Sequence, residues 1–180
     1  MLRFIAAVAL LASLRASAAP MSFELTDAGV LKVSDGRPLA RAIVNMHAVG
    51  WAGANNETQA EGTSREGDTV RGAVRLPAQL AGKLGYSVTA TKEDSALKAH
   101  YSLRFTEATE IQGAYISFML PAERLQGRQA TLWRTGQSRP LPAQGESANL
   151  SGPACAFSVE IGEGKSFVIA SAATAAVMVQ

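Results

Sequence analysis

The chain is poor in the residues that most often carry chemistry. Cys155 is the only cysteine among 180 residues, so no disulfide can form within the chain. Two histidines, His47 and His100, stand far apart and have no partner at metal-ligand spacing. With one thiol and no histidine pair at ligand spacing a zinc site is not expected, and no Asp-x-Asp-x-Asp-Gly loop for calcium occurs. Nothing in the sequence calls for a cofactor. No basic block occurs, which removes the electrostatic basis for binding nucleic acid or an anionic membrane surface. No apolar run reaches the roughly 20 residues that a membrane-spanning helix needs.

What is present begins with a leader pattern. Arg3 gives a positive start, Phe4 to Leu14 an apolar segment, and Ala16-Ser17-Ala18 a small-residue cleavage site. That order is the layout of a secretory signal peptide. Residues 1–18 are expected to be removed and the protein exported, to the periplasm or outside the cell, with no membrane span left after cleavage. The leader carries Arg3 and Arg15 and no acid, so the 17 basic residues fall to 15 against 15 acidic ones and the remainder is formally neutral.

Beyond residue 20 the dominant period is two, the signature of half-buried strands. Val70, Gly72, Val74 and Leu76 alternate with Arg71, Ala73 and Arg75 up to Pro77. Tyr86, Val88 and Ala90 alternate with Ser87, Thr89 and Thr91. Leu97, Ala99, Tyr101, Leu103 and Phe105 alternate with Lys98, His100, Ser102, Arg104 and Thr106. The polar turn Lys92-Glu93-Asp94-Ser95 makes the last two a hairpin. A second hairpin turns at Asp27-Ala28-Gly29. Further strands are read over residues 39–47, 114–120, 129–134, 155–161 and 167–170, with one helical turn at 121–125. Nine or ten short antiparallel strands in a single sandwich, residues 19–180, is the expected all-β fold, with a closed barrel as the other architecture. Residues 50–68 and 135–153 read as long polar loops, the class of loop most often functional. The uncharged ending SAATAAVMVQ reads as a strand cut off mid-sheet, so the chain is expected to be part of a longer polypeptide. The alternative is a last strand paired inside the sandwich.

The candidate sites are few. Gly164-Lys165-Ser166 ends like a phosphate loop but lacks the earlier glycine, Val159 standing there, and leads into a strand rather than a helix. It reads as a hairpin turn. Glu57, Glu61, Glu66 and Asp68 cluster in the first long segment, but sequence spacing does not define a catalytic pair. Catalytic residues are therefore expected to be absent from this chain. Cys155 falls on the apolar side of its strand and reads as a small core residue, and Trp133 likewise reads as core. Trp51 enters a polar segment at a strand end. An aromatic ring there can stack on a sugar while Asn55, Asn56 and His47 bond its hydroxyls. These four residues are the candidate carbohydrate contacts, against the reading of Trp51 as a plug of the core. Asn56-Glu57-Thr58 and Asn149-Leu150-Ser151 also fit the N-glycosylation pattern.

The stretches VRGAVRLP (70–77), 86–105 and AYISFMLPAERLQG (114–127) resemble the galactose-mutarotase-like supersandwich domains that accompany bacterial polysaccharide-degrading enzymes. The resemblance implies a carbohydrate-associated setting and a separate catalytic domain downstream, and it transfers no individual residue. The expected function is an exported module that binds or positions carbohydrate within a larger glycoside-hydrolase-like protein. The alternative is a structural or adhesive envelope protein acting through protein–protein contacts, with a strand added at an exposed edge.

Overall fold

A computed structural model describes residues 4–12, 21–93, 96–142, 150–162 and 165–179. The described chain is an all-β antiparallel sandwich with almost no helix. It divides into two compact units, one built on residues 4–5, 21–91 and 100–119, the other on 6–12, 92–99 and 120–179.

In the first unit, one sheet is ordered β10 (Ile111–Met119), β4 (Pro38–Ala48), β3 (Leu31–Ser34) and β2 (Ser22–Leu25), with β5 (Gly53–Asn55) also pairing on β4. The facing sheet contains β6 (Ala60–Glu66), β7 (Thr69–Arg75) and β8 (Lys83–Glu93), flanked by β9 (Ala96–Phe105). Alternation explains the core directly. Val70, Val74, Leu84, Val88 and Tyr101 are buried while Arg71, Arg75 and His100 are exposed. Each Val or Leu so buried stabilises by about 1.5–3 kcal/mol. Gly72 lies opposite Tyr86, and a Cβ at Gly72 would come within 2.6 Å of the Tyr86 hydroxyl oxygen. Tyr86 passes over this gap and donates its hydroxyl to the Ala28 carbonyl at 2.8 Å.

The second unit pairs β12 (Gln137–Pro140), β11 (Gln129–Trp133), β13 (Leu150–Gly162), β14 (Lys165–Val179) and β1 (Phe4–Ala12). Leu132 faces Phe157 and Ala130 faces Val159, all buried. A single turn of helix, α1 (Ala122–Leu125), precedes β11 and buries Leu125. The apolar segment of the expected leader is β1, antiparallel to β14 with Val8 opposite Ser171 and Ala12 opposite Phe167. An uncharged run satisfies its backbone groups in this way wherever it remains attached.

The hairpins at residues 27–29 and 86–105 and the helical turn lie where the sequence puts them. Of the turn over 92–95, Asp94 and Ser95 lie outside the described residues, as do Glu163, Gly164 and Asn149. Fourteen strands are described rather than nine or ten. The two segments read as loops contain β5, β6, β12 and the first residues of β13; the first three are short or mostly polar and so show no apolar period. Pro140 is tolerated because β12 is an edge strand. The core reading of Cys155 is corrected: it is exposed. The β13–β14 register shifts between Ala154 and Ala156, and that bulge breaks the alternation at residue 155. Trp133 is also not core. It is 54% exposed, with its indole N–H donated to the Ser158 hydroxyl at 2.9 Å.

Two stability outcomes follow from the first unit. Asn56 is fully buried and its side-chain oxygen accepts the Val44 N–H at 2.8 Å. Replacing Asn56→Ala orphans that donor and is expected to lower unfolding free energy by about 2–3 kcal/mol in denaturant titration. The buried Tyr101 hydroxyl has no hydrogen-bond partner among the described residues, and burial holds its ionisation far above the usual tyrosine value. Its folded pKa exceeds the unfolded value, so this contribution is present below about pH 10 and is lost as pH rises through the folded value. Tyr101→Phe is expected to match or exceed wild-type stability at neutral pH and to move alkaline unfolding to higher pH. A loss above about 1 kcal/mol at neutral pH would contradict the unpaired hydroxyl.

Candidate functional site

The outer face of the β5–β4–β10 sheet carries a group of rings. Period-two geometry puts Asn45 and His47 of β4 outward, between inward Val44, Met46 and Ala48. Asn45 is paired with Asn55 on β5 and with Tyr115 on β10. His47 is paired with Gly53 on one side and Gly113 on the other. A glycine on each flank leaves a hollow about the imidazole, and a Cβ at Gly53 would approach His47 Nε2 to 3.1 Å. Tyr115 leans over the other glycine: its ring carbons lie 3.6 Å from where a Gly113 Cβ would be. That tilt brings the Tyr115 hydroxyl into a hydrogen bond with His47 Nδ1. When the hydroxyl donates, the imidazole proton sits on Nε2 and remains a donor. The two rings stack with centroids 5.7 Å apart. Burial raises the Tyr115 hydroxyl pKa, which keeps that donor protonated at neutral pH.

Trp51 completes the group. A turn closes from Trp51 N–H to the Ala48 carbonyl at 2.9 Å, with Gly50 at φ +87°. Trp51 itself follows at φ +68°, a left-handed conformation that L side chains adopt at a cost of about 1–3 kcal/mol. The indole lies 5.5 Å from His47 at a 59° tilt and is 64% exposed. It is not a plug of the core.

The four residues singled out from sequence separate here. Trp51 and His47 come together. Asn55 sits one row along, but its side-chain oxygen accepts the N–H groups of Glu57 and Thr58, so it builds the turn into β6. Asn56 is withdrawn from the surface. Its oxygen holds Val44 and its Nδ2 donates to the Ala28 carbonyl at 2.7 Å, so neither amide end is open to a ligand or a glycan chain. Tyr115 was not singled out, although the alternation of Tyr115, Ser117 and Met119 against Ala114, Ile116 and Phe118 marks it as outward. Asn45, whose Nδ2 donates to Ser117 Oγ at 3.2 Å, is the amide that stands beside the rings.

Three of the four loop carboxylates are engaged elsewhere. Glu57 pairs with Arg41, Glu66 with Arg71, and Glu61 with Lys83 and Arg75. The hydrogen bond from Lys83 lowers the Glu61 pKa, the opposite of what a general acid needs. Among the described residues no group of three or more His, Cys, Asp or Glu is placed to hold a metal. No helix among them is long and apolar enough to cross a membrane.

The class defined by these features is an antiparallel β-sandwich bearing an exposed Trp–His–Tyr cluster. No family model, no curated protein and no solved structure matches the chain.

Both tryptophans of the chain are more than half exposed. Native fluorescence is therefore expected to show the red-shifted emission of hydrated indole, with efficient acrylamide quenching. A blue emission that shifts only on unfolding would contradict both placements.

Proposed function

We propose that the chain is an exported β-sandwich module that binds carbohydrate through Trp51, His47 and Tyr115, within a larger glycoside-hydrolase-like protein. The observation that carries the reading is the exposed indole held beside a stacked imidazole–phenol pair on a sheet face. A pyranose presents an apolar C–H face and a rim of hydroxyls. The indole and phenol supply the matching apolar faces, while Asn45, Ser117 and His47 Nε2–H supply the polar partners. A strained backbone at the most exposed ring is the kind of cost that persists at ligand sites. Export rests on the leader pattern of residues 1–18, and the polysaccharide setting on the resemblance of residues 70–77, 86–105 and 114–127 to supersandwich domains.

The test is retardation of the folded protein in affinity gels containing individual polysaccharides, followed by calorimetry with oligosaccharides of the retarding type. Trp51→Ala and Tyr115→Ala are each expected to weaken binding by about 10–100-fold, the loss of roughly 1.5–3 kcal/mol of ring burial. Asn55→Ala is expected to leave affinity within about threefold, since that side chain is spent on its own turn. Retardation by no glycan, or retardation indifferent to Trp51, would remove the reading.

A further inference from the structure

We propose that β10 is a self-association edge: two copies of this chain pair antiparallel along Gly113–Met119, joining their sheets about a two-fold axis at Ile116. Among the described residues β10 pairs its backbone with β4 alone. The regular part of that pairing runs from Gly113 to Met119, after a register shift at Ile111/Gly113.

Three observations carry the inference. The first is what the other terminal strands contain. β2 is four residues long and holds Glu24, β6 holds Glu61, Arg65 and Glu66, and β12 holds Arg139 and Pro140. Charge, proline and shortness are the devices that keep an edge from pairing. GAYISFM, residues 113–119, has none of them.

The second is unfinished burial. Ala114, Ile116 and Phe118 lie opposite Met46, Val44 and Ala42, which are at most 2% exposed. Their β10 counterparts on the same inward side are only half-buried. An added strand would cover the remainder.

The third selects a second copy as the occupant. A two-fold axis at Ile116 places Gly113 of one copy against Met119 of the other, Ala114 against Phe118, Tyr115 against Ser117, and Ile116 against itself. Apart from Ile116, each large side chain meets a small one, and inward residues meet inward residues, so both faces of the joined sheet stay in phase. No charge is brought against its own image. If the carbohydrate reading also holds, the two ring clusters lie on one continuous face, and a polymeric glycan would be held at two points with the gain in avidity that tethering gives.

The experiment is sedimentation equilibrium of the full chain over a wide concentration range, with Met119→Lys and the double variant Ser117→Lys/Met119→Lys compared. Both positions lie on the outer side of β10, and Met119 is 46% exposed, so Met119→Lys alone serves if the double variant misfolds. Wild type is expected as a dimer. A lysine on a strand edge works against pairing, and in this register Ser117→Lys also lies diagonal to its own image, so the variants are expected to raise the dissociation constant at least about tenfold, with circular dichroism unchanged. A monomeric wild type, or a dimer that both folded variants leave intact, overturns the proposal. Binding of a monovalent oligosaccharide to Met119→Lys separates the two readings, since self-association can fail while each chain still binds sugar.

Discussion

The carbonyl of Ala28 is the point on which the first unit closes. It lies in the β2–β3 turn and accepts two hydrogen bonds, from the Tyr86 hydroxyl of the facing sheet and from Asn56 Nδ2. Gly29 makes this closeness possible. It turns at φ +72°, and a Cβ there would lie 2.8 Å from the Tyr86 ring. Asn56 then extends the ladder where β3 has stopped. Its own N–H bonds the Val44 carbonyl at 3.1 Å and its side chain accepts the Val44 N–H, so one residue supplies both halves of a strand pairing. Three segments far apart in sequence are locked by one buried amide. Because that amide has no access to water, any arrangement that loses one of its bonds carries the full desolvation cost.

That constraint reaches the ring cluster. Asn56 fixes the exit of β5, and β5 in turn fixes Gly53 against His47. The turn of residues 48–51 is thus held at both ends, by β4 and by β5, and Trp51 can be kept in a left-handed conformation that an unsupported loop would relax. The strain at Trp51 and the rigidity at Asn56 are two sides of one device: the second stabilises what the first costs. The His47–Tyr115 hydrogen bond adds a lateral tie across β4 and β10, so the ring group is held from both neighbouring strands. A ring that does not have to be ordered on binding loses little conformational entropy there.

Much of the fold was legible because alternation survives wherever one face is wet. Val70 to Leu76 and Leu97 to Phe105 could be read directly, as could the glycine turn at 27–29. The reading failed where the apolar period is absent or reset. β6 is polar on both sides because it is an edge kept soluble by charge. Cys155 left the core because a bulge shifts the register of β13 by its own length. Trp133, outward beside buried Leu132, shows that a large aromatic on a strand follows the parity of its neighbours more than its own hydrophobicity. Within the candidate site, Trp51 and His47 were visible as a ring and an imidazole at a strand end. Tyr115 was not, because its partnership with His47 spans 68 positions and depends on the empty flank at Gly113. Asn55 and Asn56 misled for a physical reason. An amide beside a turn is as useful to the backbone as to a ligand, and here the backbone has taken both.

The two glycines that flank His47 argue that the cluster is more than a chance of packing. Glycine in a strand interior weakens it, through lost side-chain contact and through the entropy of ordering a freer backbone. Here one stands on each neighbouring strand in the same row, and neither has a positive φ that would require it. What both supply is space on the outer face, and that space is filled by the imidazole and by the leaning phenol. A sheet selected for stability alone would place β-branched residues in that row and leave His47 upright in solvent. The hollow instead lays two rings close together and sets a third at their rim, and on that arrangement the proposed carbohydrate contact rests.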